Sequence, residues 1–364
     1  MPEKNSTAPR TEELLRKAVP LLIRWYGGEK NPFPWRQDPT AYHVWISEIM
    51  LQQTRTAAVI PYFERFVTVL PSIEALAAVD DDLLMKLWEG LGYYSRARNL
   101  KKAAKLVMTN FGGQLPQTAA ELESLPGIGP YTAGAIASIA FGRPNAAVDG
   151  NVLRVVMRLS ACRDDVMLGA TKRRVTEALE SVYPSGKQAG ELTEALMELG
   201  EKICIPNGEP HCFDCPLSEL CLAVARGEQN TLPVRTPKKP RRTEERTVLL
   251  MRCGNRYALS KRPEGGLLSG LWEFPNILGA LDEKGALAAA EELGAKAVSV
   301  RPLADAVHIF THIEWHMTGY LVECEALPKG MAQANALEIG EKYAIPNAFR
   351  AYTDMIENFT ASAP

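Results

Sequence analysis

Two carboxylates and a pinched glycine turn are the residues of this chain best suited to chemistry. Glu48 lies in VWISEIMLQQT beside Trp45, Ile49 and Leu51, and Asp149 lies in AAVDGN. A carboxyl group among apolar neighbours keeps its proton to higher pH and can donate it near neutrality. Glycosidic bonds break when one such acid protonates the leaving group while a second carboxylate stabilises, or attacks, the oxocarbenium-like sugar. Glu48 and Asp149 are the candidate pair. A single helical glutamate taken alone is ordinarily a solvated side chain, so the pair needs support from its surroundings.

Between the two acids stands LPGIGPYTAGAI, with Gly127 and Gly129 ahead of an alanine-rich helical pattern. A turn of this kind presents backbone N–H groups and the positive end of a helix, which suits a phosphate. No strand pattern precedes it and no Gly-Lys-Ser/Thr follows, so it is neither a dinucleotide loop nor a Walker loop. The unit is helix, tight turn, helix. A simple corner between helices is the plain alternative. Backbone contacts to phosphate would position a duplex without reading its sequence.

Four of the seven cysteines, Cys204, Cys212, Cys215 and Cys221, crowd into CIPNGEPHCFDCPLSELC. The polar start MPEKNSTAPR carries no secretory pattern, so a cytoplasmic, nucleoid-associated location is expected, and such crowding then favours metal or iron–sulfur ligation over disulfides. Four thiolates suit zinc and a [4Fe–4S] cluster alike, and the spacing leaves both open. Cys162, Cys253 and Cys324 are scattered and read as buried small side chains.

The elements that must carry these residues fall into two groups. The chain has 364 residues, 46% hydrophobic, enough for two cores. No run approaches the roughly 20 apolar residues of a membrane span. From Glu12 to Val224 apolar residues recur at spacings of three and four, as in ELTEALMELGEKIC and RRVTEALESVY. Beyond GEQNTLPVRTPKKPRRTEER the period changes. RTVLLMRCGNRYALSKRP reads as two strands about a Gly-Asn turn, HIEWHMTGYLVECEAL alternates, and KGALAAAEELGA is a short helix. The expected organisation is a helical domain over 12–229, a basic linker over 230–243 and an α+β domain over 244–364. Net charge is only −2. Basic residues nevertheless cluster, at Arg96, Arg98, Lys101, Lys102 and Lys105, and in the linker at Arg235, Lys238, Lys239, Arg241 and Arg242. These could neutralise DNA phosphates or form a solvated charge run.

LPGIGPYTAGAI followed by VDGN resembles the helix–hairpin–helix and succeeding aspartate of the base-excision DNA glycosylases related to endonuclease III. The catalytic lysine of the bifunctional lyases in that superfamily stands where this chain has Tyr131. The order Gly-Pro-Tyr-Thr is similar to the adenine DNA glycosylase branch. The resemblance runs from FPWR to the C-terminal domain. It implies a multidomain protein, with an all-α helix–hairpin–helix glycosylase domain and iron–sulfur loop followed by an α+β Nudix-like domain. It further implies monofunctional hydrolysis of adenine from double-stranded DNA opposite 8-oxoguanine or guanine, by a monomer with no membrane role.

Carried over residue by residue, Glu48 protonates the departing adenine at N7 and then helps water reach the sugar, and Asp149 stabilises the cationic sugar. Tyr131 offers no amine for a Schiff base. Asn151 is a hydrogen-bond partner for the water or the carboxyls, with helix capping as its plain role. Gln53 and Tyr93 match the wedge and duplex-probing residues, with Gln52 their polar neighbour. Trp35 and Arg36 line the adenine pocket, and Glu194 resembles a second acidic contact to the base. Cys204, Cys212, Cys215 and Cys221 match the ligands of a [4Fe–4S] cluster, with one more residue in the first gap than the family pattern has.

In the C-terminal domain Ala288 stands where a Nudix hydrolase needs an acid. Glu291 and Glu292 alone are too few hard ligands for metal-dependent pyrophosphate hydrolysis. Phe310, Thr311 and His312 match the loop that inspects 8-oxoguanine, with Thr311 where many relatives have serine. A bifunctional glycosylase/lyase acting on damaged pyrimidines and a non-catalytic lesion-binding protein are the rival readings.

Overall fold

The computed structural model describes residues 7–29, 31–237 and 240–361. It holds two compact units: the described residues up to Ala78 together with Arg98–Pro237, and Val79–Ala97 together with the described residues beyond Lys238.

The first unit is helical. The helix Ala41–Leu51 opens on Thr40, whose side chain accepts from the His43 N–H. Its residues Tyr42 to Met50, His43 excepted, are buried, so the helix is sunk on nearly all sides and carries Glu48 inward. Small residues let its neighbours close in. A Cβ on Gly134, in the helix Pro130–Phe141, would stand 2.4 Å from the Ala146 carbonyl, and one on Gly200 would stand 2.6 Å from Cβ of Asn151. The segment leading to Asp149 therefore meets the helix Pro130–Phe141, and the start of the helix that follows Asp149 meets the helix Lys187–Lys202, at backbone distance. Leu15, Leu22, Tyr26, Val152, Leu192 and Leu199 belong to the core beneath them.

In the second unit the strands are β1 (Arg242–Cys253), β2 (Arg256–Lys261), β3 (Trp272–Glu273), β4 (Asn276–Leu278), β5 (Lys296–Pro302), β6 (Ala306–Ile309), β7 (Ile313–Ala326) and β8 (Ala332–Ala334). The sheet runs β3-β2-β1-β7-β5, with β4 also on β1, β6 on β7 and β8 on β2. β1 and β7 are parallel, Arg242 opposite Ile313 through Arg252 opposite Glu323, while β6 pairs antiparallel with β7. Side chains alternate between two buried faces. Leu250, Trp315 and Leu321 pack with Phe349 and Tyr352 on one face; Leu249, Met251 and Val322 pack with Ala286 and Ala290 on the other. Cys324 is buried there and Cys253 half-buried beside it; Cys162, in the first unit, is also half-buried.

Both expected boundaries move. The helix Asp81–Trp88 and the turn after it belong to the second unit: Lys86 donates to the Tyr343 carbonyl at 3.2 Å, and the Ile345 N–H donates to Glu89 at 2.8 Å. The start of the expected linker packs on the first unit. Leu232 is 2% exposed and the Val234 carbonyl accepts from the Val166 N–H, so the low apolar content of this stretch concealed one anchoring side chain and one backbone tie. Arg242 and Thr243 already lie in β1. Lys238 and Lys239 fall outside the described residues.

Candidate active site

Five elements of the first unit deliver side chains to one cavity of about 210 Å³, among them Glu48, Tyr131, Asp149, Asn151, Glu194 and Trp35. Glu48 is 5% exposed and accepts from the Tyr131 hydroxyl at 2.7 Å. Burial pushes its carboxyl up to about 7; the Tyr131 hydrogen bond opposes this, Asp149 and Glu194 reinforce it, and Arg36 opposes it. At neutral pH Glu48 is therefore poised to give or take a proton. The Tyr131 hydroxyl is held well above the ordinary phenol range by the same burial, so it stays a donor.

Asp149 takes a different place. It is the N-cap of the helix Gly150–Leu159, one oxygen accepting from the Val152 N–H at 2.7 Å and the other from Asn151 Nδ2 at 3.0 Å. Capping is thus the work of Asp149 and not of Asn151, because the residue with extended backbone before the first helical turn is the aspartate. Burial raises the Asp149 carboxyl above the usual range, against the pull of the Val152 and Asn151 hydrogen bonds. Asn151 in turn accepts from Arg154 at 2.9 Å, which fixes its amide with the nitrogen toward the carboxylate.

The wall opposite is ionic. Arg36 Nε meets Glu194 at 2.9 Å and its NH1 meets Glu198 at 2.8 Å. Tyr26 donates to the second oxygen of Glu194 at 2.8 Å. Both oxygens of Glu194 are thereby engaged within the protein. Trp35 is buried, stacked on Phe33 and edge-on to Phe63. Glu198, Tyr26 and Asn31 were not singled out from the sequence. The repeat of Glu194 and Glu198 at a spacing of four in ELTEALMELG was the available signal, since it places both on one helix face.

A second, wider groove of about 620 Å³ shares Leu51, Tyr131 and Asp149 with the cavity and adds Gln52, Gln53, Gly129 and Lys172. Gln53 holds φ +61, a left-handed backbone that a non-glycine residue seldom adopts. Gln52 donates to Thr132 Oγ1 at 3.1 Å and is tied to the neighbouring helix. Gly127 (φ +82) makes the turn and Gly129 caps the helix Pro130–Phe141, whose opening proline suits its first position. Lys172, on the helix Gly169–Glu180, was missed because TKRR reads as an ordinary solvated charge run.

Residues 46–185 match the model of the HhH-GPD superfamily base excision DNA repair proteins, and residues 247–355 match the NUDIX domain. The chain is 33% identical to the adenine DNA glycosylase of Mus musculus over 92% of its own length and 77% of that protein's. The chain belongs to the adenine DNA glycosylase family. It is likewise 31% identical to the adenine DNA glycosylase of Buchnera aphidicola subsp. Acyrthosiphon pisum, over 83% of this chain and 85% of that one. An endonuclease III trapped covalently on DNA superposes with a TM-score of 0.51 at 25% identity, covering 59% of this chain and 98% of that one. The protein is a DNA glycosylase of base excision repair with a helical glycosylase domain and a Nudix-like domain.

In this adenine glycosylase the cysteine loop leaves the end of the Lys187–Lys202 helix. The His211 N–H returns to the Ile203 carbonyl at 2.9 Å, and residues 206–209 bulge outward, exposed. The additional residue of the first gap is thus taken up in solvent. Arg158 donates to Cys204 Sγ at 3.2 Å and to the Ile205 carbonyl at 3.0 Å, while Arg154 donates to the Cys204 carbonyl at 2.6 Å. Burial, then the neighbouring thiols, raise Cys212, and Cys215 is pushed up to about 12 by burial with Cys204, Cys221 and Cys212 adding. The four thiols therefore share one electrostatic neighbourhood. Among the described residues no three His, Cys, Asp or Glu side chains close on a point that could hold a single ion. Four thiols beside two arginines fit the donor set of an iron–sulfur cluster, whose several irons spread the ligands more widely.

The second unit places Phe310, Thr311 and His312 at the tip of the β6–β7 hairpin, closed by the Phe310 N–H on the Ile313 carbonyl at 2.8 Å. Phe310 packs edge-on against buried Trp315 with centroids 4.9 Å apart, whereas Thr311 and His312 are exposed. Tyr93, 46% exposed and at φ +48, lies in this same unit, its hydroxyl 2.8 Å from Thr311 Oγ1. Among the described residues no helix is long and apolar enough to cross a membrane.

Proposed function

We propose that this glycosylase removes adenine opposite 8-oxoguanine, and less favourably opposite guanine, by monofunctional hydrolysis of the N-glycosidic bond. The observation that carries this reading is the shared cavity of Glu48, Tyr131 and Asp149. The adenine must leave the helix stack to enter it, at a cost of a few kcal/mol. Glu48 gives its proton to N7, the electrons of the C1′–N9 bond pass to the base, and neutral adenine departs. Asp149 stabilises the resulting sugar cation. A water adds at C1′ and its proton returns to the Glu48 carboxylate, restoring the enzyme. Tyr131 has no amine, so no Schiff base forms and the strand is left uncut.

The pH profile follows from the two carboxyls. Release falls on the alkaline side as Glu48, with its ordinary value pushed up to about 7, loses its proton. It falls on the acid side as Asp149 gains one. Gln53 fills the vacated step, Tyr93 probes the duplex, Gly127 and Gly129 hold a phosphate, and Thr311 and His312 inspect the base left behind. Cys204, Cys212, Cys215 and Cys221 would hold a [4Fe–4S] cluster, which when bound contributes ligation free energy to a loop poor in apolar residues. Incubation with a panel of duplexes and assay for free adenine tests the reading. Release is expected from adenine:8-oxoguanine first and adenine:guanine second. No release from either, or borohydride trapping that depends on this chain's own amine, would overturn it.

A further inference from the structure

The ionic wall of the cavity contains a glutamate to which neither the chemistry above nor the family match gives a task. Glu198 has a side chain only 2% exposed, yet one of its oxygens takes Arg36 at 2.8 Å and the other takes both Asn31 and Lys202 at 2.7 Å. Glu194, one helical turn earlier, shares Arg36 with it. Two carboxylates at that spacing repel, and each needs a cation to be kept inside a protein. Arg36 and Lys202 against Glu194 and Glu198 make two charges of each sign. The network is balanced, and it stands against the cavity wall beside the acid.

We propose that Glu198 is a positioning residue for base release, fixing the Arg36 guanidinium and cancelling its surplus charge so that Glu48 keeps its proton until adenine arrives. The inference rests on the reading of Glu48 as the proton donor. Glu48 is faced by Tyr131 from the helix Pro130–Phe141, by Asp149, by Glu194 from the helix Lys187–Lys202 and by Arg36; Arg55 and Glu201 line the same cavity. Arg36 is the cation in this set that pulls Glu48 toward ionisation. Without the Glu198 charge, Arg36 and Lys202 would face Glu194 alone, and a net positive charge would favour the ionised, inactive form of the acid. Lys202 acts in the opposite sense. It is an outlying cation, 39% exposed, and its loss would leave the wall more negative.

The experiment compares single-turnover adenine release by the full-length chain, from pH 5.5 to 9, in the wild type, Glu198→Gln, Lys202→Met and Glu48→Gln proteins. An adenine:8-oxoguanine duplex and an adenine:guanine duplex serve as substrates. In Glu198→Gln the alkaline limb is expected to move to lower pH, so that the rate well above the limb falls about tenfold for each unit of displacement while the rate at pH 6 changes little. In Lys202→Met the limb is expected to move to higher pH. Opposite displacements support the proposal, since loss of packing alone would scale the rate equally at every pH. A uniform loss in Glu198→Gln overturns it. Should that protein fail to fold, an unmoved or acid-shifted limb in Lys202→Met overturns it. Full release by Glu48→Gln would remove the underlying reading as well, whereas an inert Glu48→Gln with unmoved limbs in the other two removes the positioning role alone.

Discussion

The buried cavity of the first unit and the hairpin tip of the second set polar groups in opposite surroundings. Glu48 is sunk in a helix buried on nearly every side, and the proton transfer proposed for it depends on the water it has lost. Thr311 and His312 are exposed, and the reading role proposed for them depends on donors and acceptors that DNA can reach. Both sets stand on rigid apolar supports, Trp45 and Met50 in one case and Trp315 and Phe349 in the other. Proton transfer needs an acid shut away from water; inspection needs an exposed hydrogen-bonding group held still. If this contrast is right, disturbing the cavity should abolish turnover and relieve the fold, and disturbing the tip should change selectivity alone.

The largest break should come from Glu48→Gln. Loss of the general acid is expected to lower single-turnover release by about 10²–10⁴-fold, with DNA binding retained. The same change should stabilise the protein. The folded-state value of Glu48 lies above its unfolded value, so holding it ionised costs stability that begins near pH 4.5 and grows until pH passes about 7. Glutamine carries no such cost, and a gain of about 3 kcal/mol at pH 8 that disappears near pH 4 is expected in denaturant titrations. An equal gain at both pH values would mean that packing, and not charge, is responsible.

Asp149→Asn is expected to follow, with release reduced about 10²–10³-fold through loss of charge opposite the sugar cation. Asparagine caps helices nearly as well as aspartate, and relief of the buried charge offsets the hydrogen bond lost from Asn151 Nδ2, so the melting temperature should scarcely move. A large fall in melting temperature would show that the cap, rather than the charge, had been lost. In the second unit Thr311→Ala should leave release from adenine:guanine unchanged and cut the preference for adenine:8-oxoguanine by about five- to tenfold, the worth of one hydrogen bond. Equal losses on both duplexes would place Thr311 among general DNA contacts and weaken the contrast.

The two regions also differed in how far the sequence disclosed them. Apolar spacings of three and four gave the helices, and alternation about Gly254–Asn255 gave β1 and β2, because burial imposes those periods directly. The residues proposed as catalytic stood out by their motif and not by their physics. Nothing in VWISEIMLQQT says that Glu48 is covered; that is decided by residues far along the chain, Tyr131 with its hydrogen bond and Asp149 and Glu194 across the cavity. Asp149 as a cap was within reach, since Asp-Gly-Asn-Val offers an aspartate three residues ahead of a helical N–H. Assigning Asp81–Trp88 to the second unit was not, because its partners, among them Tyr343 and Ile345, lie more than 250 residues away.

Lys172 should give the smallest effect and the finest division. It lines the groove that adjoins the cavity, beside Asp149 and Gly129, and among the described residues its ammonium has no carboxylate partner. A cation there can serve either side of the contrast: it can neutralise a backbone phosphate, or it can lie close enough to the sugar to oppose the cation that Asp149 stabilises. Lys172→Ala separates the two. As a phosphate contact its loss should weaken binding a few-fold on matched and mismatched duplexes alike and lower the salt slope by about one, with release at saturation unchanged. As a neighbour of the reacting sugar its loss should instead raise the saturated rate, since a positive charge facing an oxocarbenium-like sugar is unfavourable, while the salt slope stays as it was. The first result keeps the chemistry within the buried carboxylates; the second extends the electrostatics of the cavity out into the groove where the strand lies.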